Sequence, residues 1–404
     1  MAVQKRVRNG KTRWVARYRD PAGREHSRTF ETRREATSFL AEQEHAIHAG
    51  TWVNPDQAAI TVQKLAEAWA NQAGTDGTKR VRNLLAKNLG DMGAMPVGKL
   101  KPTMVRAWVG HLRNGRPWVE DCEGVSAAYV SSMLHQLKAM LRQAVDDELI
   151  AKNPAAKISA PRPDTAVTYA DIPSVDEVYL MESAAWNGLT AKKRRELAEK
   201  SGGEKMQRYR AFSARPSVAV AIRLGAATGM RAGEVCGLTW TAIDFERGTI
   251  HVAAQASRDG QGLMELKTKS AGRRTISVDE ETLALLRQHR ERLHGSERVI
   301  VNSAGTPMSA GVLARELDTL RRVTGVRETA SMKSLRHFHA TTLLQAGVPV
   351  KTVQHRLGHA SAVMTLQVYA HFVPADDDSA AGVIGAALAD AGQVRDRRRN
   401  LRAV

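Results

Sequence analysis

The stretch VQHRLGHASAVMTLQVYAHF, residues 353–372, joins a Leu-Gly-His turn to a tyrosine, Tyr369, that follows His359 by ten residues. The whole chain has only six tyrosines. Aromatic residues on amphipathic helices usually pack in a core, so Tyr369 taken alone is interpreted as a core residue. The rest of the chain decides whether it has a chemical role.

Composition favours a nucleic-acid partner. The chain has 404 residues, enough for two or three domains, a formal net charge of +18 and a pI near 10.2. Lys and Arg gain affinity for polyanions by releasing the counterions condensed on phosphates. Cys122 and Cys236 are far apart, which predicts neither a disulfide framework nor a cysteine metal site. No apolar run is long enough for a signal peptide or a membrane span, so we expect a soluble, intracellular protein.

Residues 1–60 predict a small basic sheet backed by a helix. The first thirty residues contain nine Lys or Arg and two Asp or Glu. Alternation places Trp14, Ala16 and Tyr18 on one face of a strand. The opposite face carries Arg13, Val15, Arg17 and Arg19. Residues 20–23 predict a turn into the next strand, and the Thr32/Glu35 pair predicts a capping box that starts a helix. Such a face can enter a DNA groove, although a solvated sheet face is the alternative interpretation.

Residues 61–157 show apolar stripes at helical spacing and predict a helical bundle. The stripes end at Asn153-Pro154, and the proline-containing residues 158–173 predict a linker. From Ser174, which forms a capping box with Glu177, a mostly helical α+β domain is expected to run to residue 375, with short strands near residues 248–255, 263–268 and 273–278.

Two segments carry separate expectations. Residues 191–216 hold nine Lys or Arg against three Glu, which is typical of a solvated insertion, with a DNA- or partner-contacting element as the alternative. Residues 376–404 combine a short apolar stripe with an arginine-rich tail, which favours a terminal helix that docks on a neighbouring molecule.

The sequence lacks metal-binding clusters and glycine-rich phosphate loops, so we expect no cofactor and no metal. The C-terminal half instead places single basic residues in distinctive contexts. These contexts are ATGMRAGEVCGLTW with Arg231, LKTKSAGRRTISV with Lys267 and Lys269, KSLRHFHATTLLQAG with Arg336, LGHAS with His359, and LQVYAH with Tyr369.

In this order, the five motifs resemble those of the tyrosine recombinases, the phage-integrase family. The resemblance covers about residues 174–375, and the region before it resembles integrases with an arm-binding sheet domain and a helical core-binding domain, as in actinobacterial phages and integrative elements. It implies a multidomain, mostly α protein with an α+β catalytic domain: arm-type DNA binding by residues 1–60, core binding by residues 61–157 and catalysis by residues 174–375.

The implied reaction is cleavage and rejoining of DNA through a 3′-phosphotyrosyl intermediate, which integrates and excises a mobile element. Implied partners are double-stranded DNA with core-type and arm-type attachment sites, a homo-oligomer that is a tetramer on DNA, and DNA-bending and directionality factors. No membrane is implied. The expected location is the bacterial cytoplasm, with the nucleoid.

The resemblance assigns roles that fit the residue types. Tyr369 would be the nucleophile, because a phenol forms a phosphodiester and is also a competent leaving group. Arg231 and Arg336 would hold the scissile phosphate with their planar, permanently charged forks. Lys267 would protonate the departing 5′ oxygen, with Lys269 as the alternative, since one residue of register changes the face of a hairpin.

Supporting roles complete the implied site. His359 would donate a hydrogen bond to a nonbridging oxygen, and Glu234 would orient Arg231 or its neighbours. Lys269, Arg13, Arg17 and Arg19 are the candidate DNA-binding residues outside the centre.

One position departs from the family pattern, because Lys333 stands where most members have histidine. Lysine, with a reference pKa of about 10.4, stays protonated and can only donate, so Lys333 is interpreted as a further cation rather than a base. His337 is interpreted mainly as a packing or supporting residue and less as a replacement base. The general base therefore stays open.

Two other functions compete with recombination. A type IB topoisomerase shares the tyrosine chemistry, but it needs neither an arm-binding domain nor a docking helix. A noncatalytic DNA-binding regulator predicts loss of Arg231, Arg336 or Tyr369, and all three are present.

Overall fold

The computed structural model describes residues 1–8, 11–120, 122–161, 167–200, 211–266, 272–293, 295–373, 381–386 and 388. The chain divides into two compact units, Met1–Asp164 and Thr165–Val404. Each unit has its own buried apolar clusters, and each is described by itself. The predicted mostly helical architecture with an N-terminal three-stranded sheet is confirmed.

The first unit begins with an antiparallel sheet and one helix. The elements are β1 (Ala2–Arg8), β2 (Lys11–Arg19), β3 (Glu25–Phe30) and α1 (Arg33–His48), with β2 in the centre of the sheet. The predicted capping box is confirmed, because Thr32 accepts a hydrogen bond from the Glu35 amide and the Glu35 carboxylate accepts one from the Thr32 amide. Tyr18 and Ala16 on β2 are buried against Ala36 of the helix.

The opposite face of this sheet is less open than its sequence predicts. Val15, placed there by alternation, is 5% exposed. Arg17 Nη1 donates to Glu25 Oε1 at 3.0 Å, and Arg13 pairs with Glu31 across the same face. Arg19 at the end of β2 is exposed. The face therefore combines arginines with acidic partners, because β3 and the residue that follows it place Glu25 and Glu31 beside them.

The predicted helical region of the first unit is also confirmed. It contains α2 (Val62–Asn71), α3 (Asp76–Lys87), α4 (Pro102–Asn114) and α5 (Ala127–Asp146). Their apolar stripes meet in one buried cluster around Trp108, Leu112 and Leu137. The Trp108 indole N–H donates to the Asn88 carbonyl at 2.7 Å, so this large side chain is buried without an unsatisfied donor.

The second unit is built on helices. They are α6 (Val175–Asn187), α7 (Ala191–Lys200), α8 (Pro216–Thr228), α9 (Ala232–Cys236), α10 (Glu280–Arg292), α11 (Ala310–Thr324), α12 (Met332–Gln345), α13 (Val350–Leu357) and α14 (Ala362–Tyr369). The capping box predicted at Ser174 and Glu177 is present at the start of α6. Helix α8 is buried nearly all round, which agrees with its continuous apolar sequence.

Short strands lie between α9 and α10, where the sequence predicted them. Strands β4 (Ile243–Asp244), β5 (Thr249–Val252) and β8 (Arg274–Ser277) form one antiparallel sheet, and β6 (Ala254–Ala256) pairs with β7 (Leu263–Glu265). Ile250 and Ile276 face each other in the register and are both buried, so this sheet packs on the helical core.

Two predicted segments are described only in part. Helix α7 covers the first ten residues of the 191–216 insertion, while residues 201–210 lie outside the described residues. In the C-terminal segment, residues 381–386 are helical, with Val383 and Ile384 more than 60% exposed. Most of the rest of 376–404, including its arginine-rich end, lies outside the described residues.

Candidate active site

Three guanidinium groups meet at the C-terminal end of α13. They donate hydrogen bonds to three consecutive backbone carbonyls: Arg274 Nε to Arg356 at 2.6 Å, Arg336 Nη2 to Leu357 at 2.7 Å, and Arg231 Nη2 to Gly358 at 3.4 Å. Carbonyls at a helix C-terminus have no partner within the helix and carry the negative end of its dipole. The helix end thus gathers cations that come from three separate parts of the chain.

Gly358 makes this approach possible. Its φ of 64° lies in the left-handed region that ends many helices at glycine. A Cβ atom there would lie 2.9 Å from Arg274 Nη1 and 3.1 Å from the Cα of Gly272. The Leu-Gly-His turn therefore needs glycine both for its backbone conformation and for the space taken by the Arg274 guanidinium.

Glu234 links two of the three arginines. Its Oε1 accepts from Arg231 Nη1 at 2.9 Å, and its Oε2 accepts from Arg274 Nη2 at 2.9 Å. Burial opposes ionisation of Glu234, but the hydrogen bond and charge of Arg274 and the contacts of Arg231 hold its pKa below the ordinary value. The predicted pairing of Glu234 with Arg231 is thus observed, and Arg274 is a second partner.

Arg231 and Arg336 occupy different environments within the cluster. The Arg231 side chain is 43% exposed, at the N-terminus of α9. Arg336 on α12 is only 8% exposed, and its Nη1 also donates to the Gly229 carbonyl at 2.6 Å. Burial, followed by the nearby charge of Arg231, lowers the pKa of Arg336 to about 10, so it stays protonated at neutral pH. The two forks lie close enough for their charges to interact.

Tyr369 is the last residue of α14 and is 2% exposed. Its ring lies in a cluster with Val167, Leu357 and Phe372. Burial raises the pKa of the phenol to about 12, although the Arg336 charge opposes that shift. The packing expected of a core tyrosine is therefore present, and the hydroxyl nevertheless lies next to the guanidinium cluster.

The Tyr369 hydroxyl has a specific partner, His337 on α12. Tyr369 Oη lies 2.6 Å from His337 Nδ1, and the two rings meet edge to face with centroids 5.6 Å apart. Burial, and then the charges of Lys333 and Arg336, lower the pKa of His337 to about 4, so its ring is neutral at pH 7. The sequence favours His337 as a packing or supporting residue over a replacement base, whereas the structure places it in direct contact with the candidate nucleophile.

His359 follows the α13 turn and joins the same cluster. Its Nδ1 lies 2.8 Å from Thr365 Oγ1 on α14. Burial, followed by the charges of Arg336 and Arg231, lowers the pKa of His359 to about 4. In the neutral tautomer in which Nδ1 accepts from the Thr365 hydroxyl, Nε2 carries the hydrogen and can donate a hydrogen bond to a ligand.

The remaining predicted residues differ in their placement. Lys333 lies one turn before His337 on α12, is exposed, and is close enough for its charge to lower the pKa values of His337 and Asp171. Lys267 and Lys269 lie outside the described residues. Arg13, Arg17 and Arg19 belong to the first unit.

Sequence reasoning missed two contributors. Arg274 belongs to the GRRT part of a quoted motif, but nothing local indicated that its side chain would be buried beside Glu234. The segment preceding α6 was interpreted as a linker, yet His371 Nε2 lies 2.7 Å from the Val167 carbonyl and the Tyr169 ring packs edge-on against Phe372. This segment therefore contacts the end of α14, where Tyr369 lies.

The arrangement suits attack on a phosphodiester. Two arginines, one buried and one open, can neutralise nonbridging oxygens, and a phenol with a neutral imidazole at its hydroxyl is a nucleophile with a proton acceptor in place. Within the described parts of the chain, no group of three or more His, Cys, Asp or Glu side chains could hold a metal ion. Nor does any helix there have the length and apolar content needed to cross a bilayer.

Comparison with known families gives two matches along the chain. Residues 203–375 match the phage integrase family, and residues 7–49 match the N-terminal domain of phage integrases. The first match contains the whole guanidinium cluster, His337 and Tyr369. The second contains β2, β3 and α1, and only the last two residues of β1.

Curated relatives cover most of the chain at modest identity. A XerC-like tyrosine recombinase of Caldanaerobacter subterraneus subsp. tengcongensis is 24% identical over 91% of this chain and 94% of its own length. An integrase of Mycobacterium phage FRAT1 is 25% identical over 82% of this chain and 92% of its own.

Solved structures share the fold. The Tn1549 transposon integrase in complex with a circular intermediate DNA aligns with a TM-score of 0.60 at 22% identity, covering 81% of this chain and 99% of that one. A lambda integrase dimer bound to a COC′ core site aligns with a TM-score of 0.52 at 19% identity, covering 90% and 93%.

Proposed function

Because the chain belongs to the phage integrase family of tyrosine recombinases, we propose that it is a site-specific DNA recombinase whose nucleophile is Tyr369. The observation that supports this centre most directly is the meeting of Arg231, Arg336 and the Tyr369–His337 pair around the end of α13. Three separate sequence segments supply these groups, at residues 231, 336–337 and 369.

In the proposed reaction, Arg231 and Arg336 bind the nonbridging oxygens of the scissile phosphate. Tyr369 Oη attacks the phosphorus, and the 5′ oxygen leaves with a proton from Lys267 or, alternatively, Lys269. Charge builds up on the phosphate during the attack, so cations already held in place stabilise the transition state more than the ground state. The resulting 3′-phosphotyrosyl bond keeps the bond energy for rejoining, and no nucleotide cofactor is consumed.

Other residues position these groups. Glu234 and Arg274 fix the orientation of Arg231, because Glu234 contacts both guanidiniums and Arg274 is anchored to β8. His359 donates a hydrogen bond to a phosphate oxygen, and Lys333 adds positive charge at the rim of the site.

The proposal divides DNA binding among the segments of the chain. Residues 1–60 contact arm-type sites, residues 61–157 and residues 174–375 each contact core-type sites, and residues 376–404 contact a neighbouring protomer. The net charge of +18 supports binding to double-stranded DNA. Exchange between two duplexes cuts four strands, and each chain supplies one tyrosine nucleophile, so the proposed working form is a tetramer. DNA-bending and directionality factors are further proposed partners.

The test uses a nicked duplex that carries the core site from the element's own attachment DNA. Loss of the short fragment beside the nick traps the covalent adduct. We expect the adduct with the natural chain and none with Tyr369→Phe, while the affinity for the duplex is unchanged. An adduct that survives Tyr369→Phe would refute the nucleophile. Relaxation of a supercoiled plasmid without attachment sites, and without recombination, would favour a topoisomerase instead.

A further inference from the structure

We propose that His337 is the general base that removes the Tyr369 proton during DNA cleavage, in place of the residue at position 333. The inference rests on the proposed function, because it assigns one step of that reaction. It starts from the 2.6 Å contact between Tyr369 Oη and His337 Nδ1, two side chains 32 residues apart in sequence.

The geometry and the tautomer fit this role. A general base must lie within hydrogen-bond reach of the proton that it removes, and the contact already has that length. Because burial and the neighbouring cations keep the ring neutral, Nδ1 can carry the lone pair while Nε2 carries the hydrogen. The phenol O–H then donates to Nδ1 in the resting state.

Lys333 cannot perform the same task. It is exposed at the start of α12, and an ammonium group has no lone pair to receive a proton. His339, the other histidine of this helix, has Nδ1 2.9 Å from the Ala226 carbonyl and accepts from Arg356 Nε through Nε2 at 3.1 Å. Both of its ring nitrogens are therefore engaged elsewhere, which leaves His337 as the α12 imidazole at the nucleophile.

Proton transfer has to accompany attack. The pKa of Tyr369 is about 12 and that of His337 about 4, so the proton stays on the phenol until the P–O bond begins to form. At that point the phenolic oxygen loses electron density to phosphorus and becomes a much stronger acid. The proton passes to Nδ1 as the oxygen's electron pair forms the bond to phosphorus.

The rest of the step balances within the site. The P–O5′ bond breaks, its electron pair stays on the 5′ oxygen, and that oxygen takes a proton from the lysine named above. On rejoining, the 5′ hydroxyl gives its proton back to that lysine as its oxygen bonds to phosphorus, the bond from phosphorus to Tyr369 Oη breaks, and His337 returns its proton to the departing phenolate. No oxidant, reductant or cofactor takes part.

The charges facing His337 make its basicity depend on DNA. Lys333 and Arg336 on α12 lower its pKa, Asp171 before α6 raises it, and the other titratable neighbours are Tyr369 and His359. A phosphate bound by Arg336 adds negative charge beside the ring, which favours the imidazolium. The base is therefore weak in the free chain and becomes stronger when the scissile phosphate arrives.

The experiment measures single-turnover adduct formation on the nicked core-site duplex with His337→Gln. A general base is worth roughly 10²- to 10⁴-fold, so we expect a rate loss in that range with the natural nucleophile. The same variant is then made with 3,5-difluorotyrosine at position 369, whose more acidic phenol needs less help from a base. We expect the deficit of His337→Gln to shrink by at least tenfold with the fluorinated nucleophile.

The matched control is His339→Gln, which removes another buried histidine from the same helix. Any rate loss there should be equal for the natural and fluorinated nucleophiles, because His339 does not contact the phenol. If the His337→Gln deficit is also equal for both, His337 only positions Tyr369 and the base assignment is wrong. Failure of the proposed function is a separate result, namely an adduct that forms with Tyr369→Phe.

Discussion

Substituting Arg274 by methionine tests whether the buried Glu234–Arg274 pair organises the guanidinium cluster. Both side chains are only 1% exposed, and Arg274 also donates to the carbonyls of Arg356 and Gly272, at 2.6 and 2.7 Å. Removing one partner of a buried ion pair typically costs about 3–5 kcal/mol when the other charge is left uncompensated. Glu234 keeps its contacts with Arg231 when Arg274 is removed, so we expect Arg274→Met to lower the free energy of unfolding of the second unit by about 3 kcal/mol, the lower end of that range.

A double-mutant cycle separates the pair from its surroundings. Glu234→Gln alone leaves Arg274 buried without a counter-charge, whereas Arg274→Met with Glu234→Gln leaves no buried charge in the pair. The double variant should therefore lose less free energy of unfolding than the two single variants lose together. The difference, which is the coupling energy of the pair, should be about 2–3 kcal/mol.

The assay is urea unfolding of the full chain, followed by tryptophan fluorescence, together with the adduct rate on the nicked core-site duplex. Arg287→Met is the control, because its pairing with Glu280 is exposed and such pairs are worth at most about 1 kcal/mol. Additive single losses, or a loss no larger than that of the control, would refute the argument. A large stability loss with an unchanged adduct rate would show that Arg274 supports the fold but does not orient Arg231.

Three further predictions concern other features. Gly358→Ala should lower the free energy of unfolding of the second unit by about 1–2 kcal/mol in urea, because alanine is strained in the left-handed region. It should also slow adduct formation, because the new Cβ meets the Arg274 guanidinium. If neither quantity changes, glycine is not needed at this position. The pKa of Glu234 is lower in the folded chain, so its contribution to stability is present above its unfolded pKa and is lost as pH falls through its folded pKa. Between pH 7 and pH 3, the free energy of unfolding should therefore decrease less for Glu234→Gln than for the natural chain. Equal decreases would contradict the lowered pKa of Glu234. Deleting residues 1–60 should spare core-site cleavage and reduce arm-site affinity with a smaller salt dependence, and arm-site binding that is unchanged in a mobility-shift assay would contradict the arm-binding assignment.

Local patterns predicted the elements of this fold well. The capping boxes at Thr32 and Ser174 and the apolar stripes of the helical bundle are short-range features, and each appears in the structure. The pairing of Arg231 with Glu234 was also predictable, because residues three apart share a helix face. Where one turn of chain contains both partners, the sequence alone was sufficient.

Contacts between distant segments were not predictable in this way. His337 meets Tyr369 across 32 residues, and Arg274 reaches a carbonyl 82 residues away. Neither spacing has a periodicity, since the first contact depends on how α12 packs against α14 and the second on how β8 packs against α13. Val15 shows the same limit in the sheet, because strict alternation placed it on the open face whereas it is only 5% exposed in the structure.

The burial of Tyr369 bears on the difference between nonspecific DNA binding and DNA cleavage. A strongly cationic chain meets DNA everywhere along a chromosome, and most of those encounters are with sequences that should stay intact. With its hydroxyl in contact with His337 and only 2% of its surface open, Tyr369 presents little of its side chain to a passing phosphate. In the proposed mechanism, brief encounters would therefore end in dissociation, and breaks would be confined to complexes that last long enough for a phosphate to reach the Tyr369 hydroxyl.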